Sequence, residues 1–593
     1  MGSIVGFSIF KGLEQKQARR LLASQEQALS IFDHLEKKSI SLGLTRLELW
    51  GHAPITERLH TLPDGSLLVL IGSPQGESRW IQVQETLEKK AKPGDFELPW
   101  EGRAILLRIG ADGRRLTMWN DWLGSIPVFH VAIGEGRVAS TLEPVVVASA
   151  GYTPDDFFLP GLVSLLINGH YLSDWTLYKD MKVIPPDSAM VWDEKGFRVN
   201  PLHSVEPSQS RWEAGWDALV DEMHELSRQA VIEALRSHPK WILPLSSGLD
   251  SRLIAAVAAE VGADVHAYAW GASNATDVVY SRQIARTLGF PWKRIDLPKN
   301  FLQKYTPHWA DWFGSAMHFH GMYQMAFLDE IRSEPPGPIL SGYLGDVLAG
   351  DSAKDLEAVH TGRRSYQLES DWYCLWTPDE VRKHVKFPLV EALEANADEL
   401  NREIDSLPGA RYQKLQLLEV RNRQRHFTGF QSTLSDYWRG AATPFVNRAY
   451  ARFCMSLPRV ALDDRRLLAD VFRRYYGRLA VIPGTYAKEP FILTGRYLIL
   501  RKIASVLLPA FHSELLKGFG NIQLRMDSAS VQASGRDALW PLFEKLDVLS
   551  AWVDVEQLER DYQTLMHSKE DIRPLRRLQS MQTLAYRLAD KEK

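Results

Sequence analysis

The rhythm of apolar and polar positions changes near residue 210. Between residues 65 and 150, short apolar runs (LLVLIG, AILLRIG, RLTMWND, PVFHVAIG and RVAST) are divided by Gly, Asp and Pro. Such runs predict β-strands joined by turns. Residues 151–200 predict a helical piece and another hairpin-like stretch, and PLHSVEPSQS (201–210), rich in Pro and Ser, predicts a linker. From Trp212 to Ser237 apolar residues recur at helical spacing. WILPL (241–245) then predicts a short buried strand, SRLIAAVAAEVG a helix ending at Gly262, DVHAYAWG a second strand and DVVYSRQIARTLG a helix ending at Gly289. WKRIDL predicts a third strand, and PILSGYLGDVL a fourth that runs into a loop and helix. Strands alternating with helices of this length predict a parallel α/β sheet. Beyond residue 370 the pattern is almost entirely helical.

Composition narrows the class. A chain of 593 residues is too long for one core and predicts two or three domains of roughly 100–200 residues each. A hydrophobic fraction of 45% and a charged fraction of 24% are those of an ordinary globular protein. The formal net charge of -3 provides no basic field, so no nucleic-acid partner is expected. The two cysteines, Cys374 and Cys454, exclude a disulfide scaffold and a Cys-rich zinc site and fit a reducing cytoplasm. No apolar run reaches the ~18 residues of a membrane span, so no membrane association is expected. The apolar N-terminal residues lack a basic leader and a cleavage signal, so secretion is not expected either. The 19 tryptophans predict aromatic-filled cores and interfaces.

The stretch LPLSSGLDSRL (243–253) carries the first candidate chemistry. Ligands of parallel sheets bind at the carboxyl ends of strands. A Ser/Gly-rich turn there, opening into a helix, presents N–H groups and a helix N-terminus to an anion. Gly-Lys-Ser/Thr is absent, so this is not a Walker A loop. The turn resembles the Ser-Gly-Gly-x-Asp-Ser pyrophosphate loop of ATP pyrophosphatases, with Ser247 in place of the first glycine. If that position needs a positive φ, serine is strained there. The alternative is an ordinary strand–turn–helix with an Asp or Ser cap. In SGYLGDVLAG (341–350), Asp346 again follows an apolar strand. Two carboxylates from neighbouring strand ends, Asp250 and Asp346, can share a Mg²⁺ that also holds ATP phosphates. Lys488, in GTYAKEPF, is a candidate cation for charge on the leaving phosphate or else a solvated surface lysine.

Taken in order, these blocks resemble the asparagine synthetase family, which includes β-lactam synthetases and lasso peptide cyclases. ATDVVYSRQIARTLG (275–289) resembles the acidic-start helix of the superfamily, and TPFVNRAYARFCMSLP (443–458) the block before the last catalytic lysine. NDWLGSIPVFH, VASTLEP and TLYKDMKVIPPDSAMV resemble the N-terminal glutaminase domain. The resemblance implies an α/β chain with an Ntn-hydrolase-like αββα sandwich over residues 1–205. An ATP pyrophosphatase domain with a helical C-terminal region would occupy residues 206–593. It implies ATP and Mg²⁺, adenylation of a carboxylate, release of pyrophosphate, and displacement of AMP by an amine. The implied nucleotide-binding residues are Leu245, Ser246, Ser247, Gly248, Asp250, Ser251, Ser341 and Gly342; the metal ligands are Asp250 and Asp346.

Two departures from the family pattern shape the expected reaction. An active member begins Met-Cys-Gly-Ile-Val-Gly-Phe, whereas this chain begins Met1-Gly2-Ser3-Ile4-Val5-Gly6-Phe7. Glycine cannot be a nucleophile. A Met-Gly-Ser remnant in place of the native start is the alternative. The Arg-Gly-Pro-Asp and Asn-Gly-Glu-Ile-Tyr-Asn blocks of the glutamine pocket are also absent, so the glutaminase is expected to be inert. The amine then comes from free ammonia or from the substrate itself. Tyr343 occupies the place of the β-lactam synthetase tyrosine that works with a later Glu to deprotonate an amine. Glu419 is the candidate partner, and a Tyr beside a carboxylate is a proton relay. A packed Tyr343 and a Glu419 paired with Arg421 or Arg423 in an exposed helix are the alternatives. Lasso cyclases carry Gly-Asp-Gly-Gly-Asp where this chain has Gly-Tyr-Leu-Gly-Asp.

The expected substrate is a small-molecule or peptide carboxylate. A homodimer or a pathway partner protein stays open, as does a non-catalytic scaffold. His318 and His320 lack a third ligand at metal-site spacing, and the basic run RNRQRHF (421–427) is expected to be a solvated helix face.

Overall fold

In the computed structural model, the described residues are 2–76, 80–89, 94, 96–335, 337–350, 376–387, 390–484, 522–567 and 573–589. Seventeen strands among them form three sheets. The first sheet orders β10 (Lys182–Val183), β8 (Phe129–Ile133), β9 (Gly136–Ser140), β1 (Ser3–Lys11), β3 (Thr45–His52) and β2 (Glu36–Leu42). The second orders β12 (Gly196–Pro201), β11 (Ser188–Asp193), β7 (Leu116–Asn120), β6 (Glu101–Ile109), β5 (Leu67–Gln75) and β4 (Leu59–Thr61). Every pair within these two sheets is antiparallel.

The near-continuous apolar runs of β5 and β6 follow from burial on both faces. Leu67, Val69 and Ile71 of β5 and Ile105 and Leu107 of β6 meet Ile4, Phe7, Ile9 and Leu49 of the first sheet. Leu68, Leu70 and Leu106 pack on the other face with Val83 of the helix Trp80–Lys89. Outside the first sheet, Val5, Phe10 and Val131 share a core with Leu21 of the helix Gln15–Ala28 and Val145 of the helix Glu143–Ala150. The layers therefore run helices, sheet, sheet, helix. A bulge lets β1 serve both cores: its pairing with β3 shifts between Ile4 and Gly6, so Ile4 and Phe7 reach the same face.

The third sheet is parallel, with the order β15 (Trp292–Ile295), β14 (Asp264–Trp270), β13 (Lys240–Pro244), β16 (Ile339–Leu340) and β17 (Ala441–Ala442). The four strands read from the apolar runs are present. β17 is not legible, because two alanines carry no period. The helices Leu249–Glu260 and Thr276–Leu288 link β13 to β14 and β14 to β15. The latter ends on Gly289 at φ 79°, a left-handed cap that glycine adopts without strain. From residue 376 onward the described residues are mainly helical, with β17 and a Val385–Val553 bridge as exceptions.

Buried polar contacts tie the antiparallel sheets to the rest of the chain. Arg103 of β6 pairs with Asp436 at 2.5 Å, and Trp50 Nε1 donates to Tyr437 Oη at 2.9 Å. Arg448 pairs with Glu101 at 2.9 Å. Glu143 and Arg587, 1% and 3% exposed, form an ion pair, and Ser315 Oγ donates to the same carboxylate at 2.5 Å. Removing one member of a buried pair strands the other charge. Glu143→Ala is therefore expected to cost about 3–5 kcal/mol, read as a lowered urea midpoint. Adding Arg587→Met should recover part of that loss, and no recovery would mean the pair is not the source.

Candidate active site

The order of the parallel sheet creates the crevice. From β13 the chain moves outward to β14 and β15, then returns to the opposite side of β13 as β16. The carboxyl ends of β13 and β16 thus flank the point where strand order reverses, which is where open α/β sheets bind ligands.

After Pro244 the chain turns through Leu245–Gly248 into the helix Leu249–Glu260. The turn is held by its own polar groups. Ser246 N donates to Ser251 Oγ at 3.1 Å, and Gly248 N donates to Ser246 Oγ at 3.1 Å. Ser247 is fully buried, and its N and Oγ both donate to Asp277 Oδ1, at 2.9 and 2.6 Å. Ser247 is not among the positive-φ residues, so serine is unstrained where the related loop has glycine. Gly248 is the helix N-cap and supplies no side-chain cap. The helix start therefore leaves N–H groups for water or an anion, and Asp250 stands in its first turn.

The second loop presses on the first through two glycines. A β-carbon on Gly342 would lie 3.3 Å from Asp250 Cβ and 3.4 Å from Ser251 N. One on Gly345 would lie 2.9 Å from Asp250 Oδ1 and 2.8 Å from the Phe445 ring. The Asp250 carboxylate thus meets the backbone next to Asp346. Ser341 Oγ accepts from Tyr343 N at 3.2 Å, and Asp346 Oδ1 accepts from Val347 N at 2.8 Å. Leu344 is held at φ 76°, a conformation costing a residue with a β-carbon roughly 1–2 kcal/mol. Arg465 lies 3.8 Å from Asp250 and is itself left-handed at φ 52°.

These groups fit Mg²⁺ and a nucleotide in the chemistry of their donors. Asp250 and the Asp346 loop bring hard carboxylate oxygens to one crevice. Mg²⁺ binds through one or two carboxylates, with phosphates and water completing its shell. Among the described residues there is no cluster of three or more His, Cys, Asp or Glu that could hold a metal by itself. His318 and His320 are instead buried, bonded to Ser580 Oγ and to the His318 carbonyl, and burial keeps both well below the usual histidine range.

Tyr343 and Glu419 are connected through a third residue. The buried Tyr343 hydroxyl donates to the Gln424 carbonyl, while Gln424 Nε2 donates to Glu419 Oε1 at 3.1 Å. Glu419 also pairs with Arg423 at 2.7 Å. Burial pushes the Tyr343 phenol up, so it stays protonated. Burial also pushes the Glu419 carboxyl up, but the Arg423 charge and the Arg423 and Gln424 hydrogen bonds outweigh it, and the net shift is downward. Lys488 lies outside the described residues.

The basic run 421–427 is not a solvated face. Val420–Thr428 is a π-helix in which Asn422, Gln424, Arg425, His426 and Phe427 are buried. With Val420, its wider turn places six side chains inward, where an amphipathic α-helix would turn one face to water.

Three site residues escaped the sequence reading. Asp277 was visible as a helix-start acid, but its bonds to Ser247 required the fold. Arg465, 215 positions beyond Asp250 (465 minus 250), left no local signal. Arg252 is fully buried and donates to the carbonyls of Ser247, Leu479, Ile482 and Pro483 at 2.7–3.1 Å, tying the turn to residues 479–483. Burial lowers its guanidinium to about 10.

Residues 222–460 match the family model of asparagine synthase. No curated protein matches the chain. Among solved structures, it is 10% identical to the glutamine phosphoribosylpyrophosphate amidotransferase from B. subtilis complexed with ADP and GMP (TM-score 0.22, covering 49% of this chain and 65% of that one). It is also 10% identical to the allosteric regulatory enzyme of purine biosynthesis (TM-score 0.22, covering 44% and 64%). The chain thus spans less than two thirds of the length of either enzyme, at 65% and 64%.

Asp277→Ala removes the acceptor of two buried Ser247 bonds. The expected cost is about 1–3 kcal/mol, with faster amide exchange confined to the β13 turn. Unchanged exchange there would show that Asp277 does not hold the turn.

Proposed function

We propose that the protein is an ATP- and Mg²⁺-dependent amide synthetase that adenylates a substrate carboxylate. A carboxylate oxygen attacks the α-phosphorus of ATP and pyrophosphate leaves. An amine nitrogen then attacks the acyl carbon and AMP leaves. The observation that carries this reading is the convergence of Asp250 and the Ser341–Asp346 loop at the strand-order reversal, inside the asparagine synthase segment.

In this reading Leu245, Ser246, Ser247, Gly248, Ser251, Ser341 and Gly342 shape the phosphate cradle. Asp250 and Asp346 hold Mg²⁺, which neutralises phosphate charge. Lys488 stabilises charge on the leaving group. Tyr343 and Glu419 are proposed to activate the amine together, with the Glu419 carboxylate as the group that ends with its proton.

The amine is proposed to belong to the substrate, giving a cyclic product of the β-lactam or peptide-cyclisation kind. The crowding at Gly2 supports an amine that is not released from glutamine, which leaves free ammonia as the alternative donor. Its N donates to Glu57 Oε2 at 2.8 Å, and a β-carbon there would fall 1.8 Å from the Pro54 carbonyl oxygen. A cysteine nucleophile does not fit that backbone, so residues 1–205 are proposed to be a structural domain beside a ligase domain at 206–593.

Calorimetry with a non-hydrolysable α,β-methylene ATP and Mg²⁺ tests the cradle. Wild type should bind, and Asp250→Ala should weaken binding at least tenfold. Gly345→Ala, which crowds Asp250, should weaken it too. A wild type that does not bind, alone or with candidate carboxylates, sinks the ligase reading. Once a screen for AMP release yields a carboxylate, Tyr343→Phe should lower kcat by about 10²-fold or more with little change in the KM for ATP, as for loss of a proton relay. An unchanged kcat would remove Tyr343 from the chemistry.

A further inference from the structure

The turn after β13 has a closed side and an open side. Ser247 is fully buried, whereas Ser246, Gly248 and Asp250 are half-buried. Among the described residues, a β-carbon on Gly248 would have Ser246 Oγ, at 3.1 Å, as its one contact within 4 Å beyond its chain neighbours. Arg252 belongs to the closed side. It follows Asp250 by two residues on the helix Leu249–Glu260, about 200° around the axis, so the two side chains leave the helix on opposite faces. Arg252 is fully buried.

The Arg252 guanidinium acts as a fork. Nη2 donates to Ser247 O at 2.7 Å and to Pro483 O at 2.8 Å. Nη1 donates to Leu479 O at 3.1 Å and to Ile482 O at 2.7 Å. Three of these carbonyls end the short helix Gly477–Ala480 and the turn after it, and by themselves they ask only for a cap. The Ser247 carbonyl asks for more. The Ser247–Gly248 peptide is trans, so its N–H points opposite to its C=O. Fixing the carbonyl against the buried arginine therefore turns the Gly248 N–H towards the open side. There it donates to Ser246 Oγ at 3.1 Å, and that hydroxyl lies 3.1 Å from Ser251 Oγ. The stretch of chain that receives Arg252 also begins with Arg465, 3.8 Å from Asp250. The first turn of the helix is thus held by both ends of residues 465–483.

We propose that Arg252 is a positioning residue for the nucleotide. By holding the Ser247 carbonyl it aims the Gly248 N–H at a phosphate oxygen, which takes the place of Ser246 Oγ as acceptor. The same fork couples the β13 turn to residues 479–483. This inference rests on the ATP-dependent reading of the site. Lysine does not replace the fork: its ammonium is one point with three donors, whereas here two nitrogens of a rigid plane meet four carbonyls.

Two measurements on the full chain test it, with Arg252→Lys keeping the charge and losing the fork. Calorimetry with α,β-methylene ATP and Mg²⁺, well below each melting temperature, should show binding weakened about tenfold or more, as for loss of one hydrogen bond to a charged group. Amide exchange should show the analogue protecting Gly248 and, with it, Leu479, Ala480 and Ile482 in wild type. In Arg252→Lys the protection at 479–482 should be lost. An arginine that only caps the short helix would lower the melting temperature and move neither readout. Equal affinity in a folded Arg252→Lys overturns the proposal. So does an analogue that protects the turn of wild type but leaves 479–482 unchanged. A wild type that does not bind the analogue overturns the ligase reading and this inference together, whereas a binding wild type with an indifferent variant overturns the inference alone. Should Arg252→Lys not fold, the exchange pattern of wild type decides.

Discussion

Everything at the candidate active site depends on one topological constraint, the reversal of strand order between β13 and β16. Because the chain leaves β13 on one side and returns on the other, two strand ends open onto one crevice with no connection crossing it. Gly342 and Gly345 let the β16 loop close on Asp250, which any β-carbon at Gly345 would displace. The left-handed Leu344 belongs to the same device. Strain of that kind persists only where surrounding packing enforces it, and Leu344 is 1% exposed.

The turn after β13 is built less as an open anion nest than as a cross-braced one. Its first amides are occupied by Ser246, Ser251 and Asp277, and Arg252 anchors its Ser247 carbonyl to residues 479–483. Beyond the braced turn stand the helix N-terminus and Asp250, which has Arg465 at 3.8 Å. Ser247 illustrates the economy of the arrangement. Where glycine would offer only backbone freedom, serine donates a second bond to Asp277 and fills a fully buried position.

The antiparallel sandwich is joined to the rest of the chain by buried charge. Arg103–Asp436 and Glu143–Arg587 each place an ion pair where water does not reach. Such pairs specify one geometry, since neither partner tolerates separation. The crowding at Gly2 bears on the same sandwich. A β-carbon at Gly2 would meet the Pro54 carbonyl, so the backbone there is closed around a glycine.

Much of this architecture was legible in the sequence. The apolar runs of β5–β9 and β13–β16, the helices ended by Gly262 and Gly289, and the two acid-bearing turns all follow from local periodicity and turn chemistry, which act between near neighbours in the chain. The Ser246–Ser251 turn and Asp346 could be identified because their chemistry is written within ten residues. Tertiary structure alone decided the rest. β17 is two alanines given a partner by β16. Arg465 reaches Asp250, and Arg252 reaches Pro483, only once distant helices pack. The basic run 421–427 carries the composition of a surface helix, yet the π-helical turn and the covering sheets bury it. Charge density in a sequence says which groups are present; whether water reaches them is settled by what folds over them.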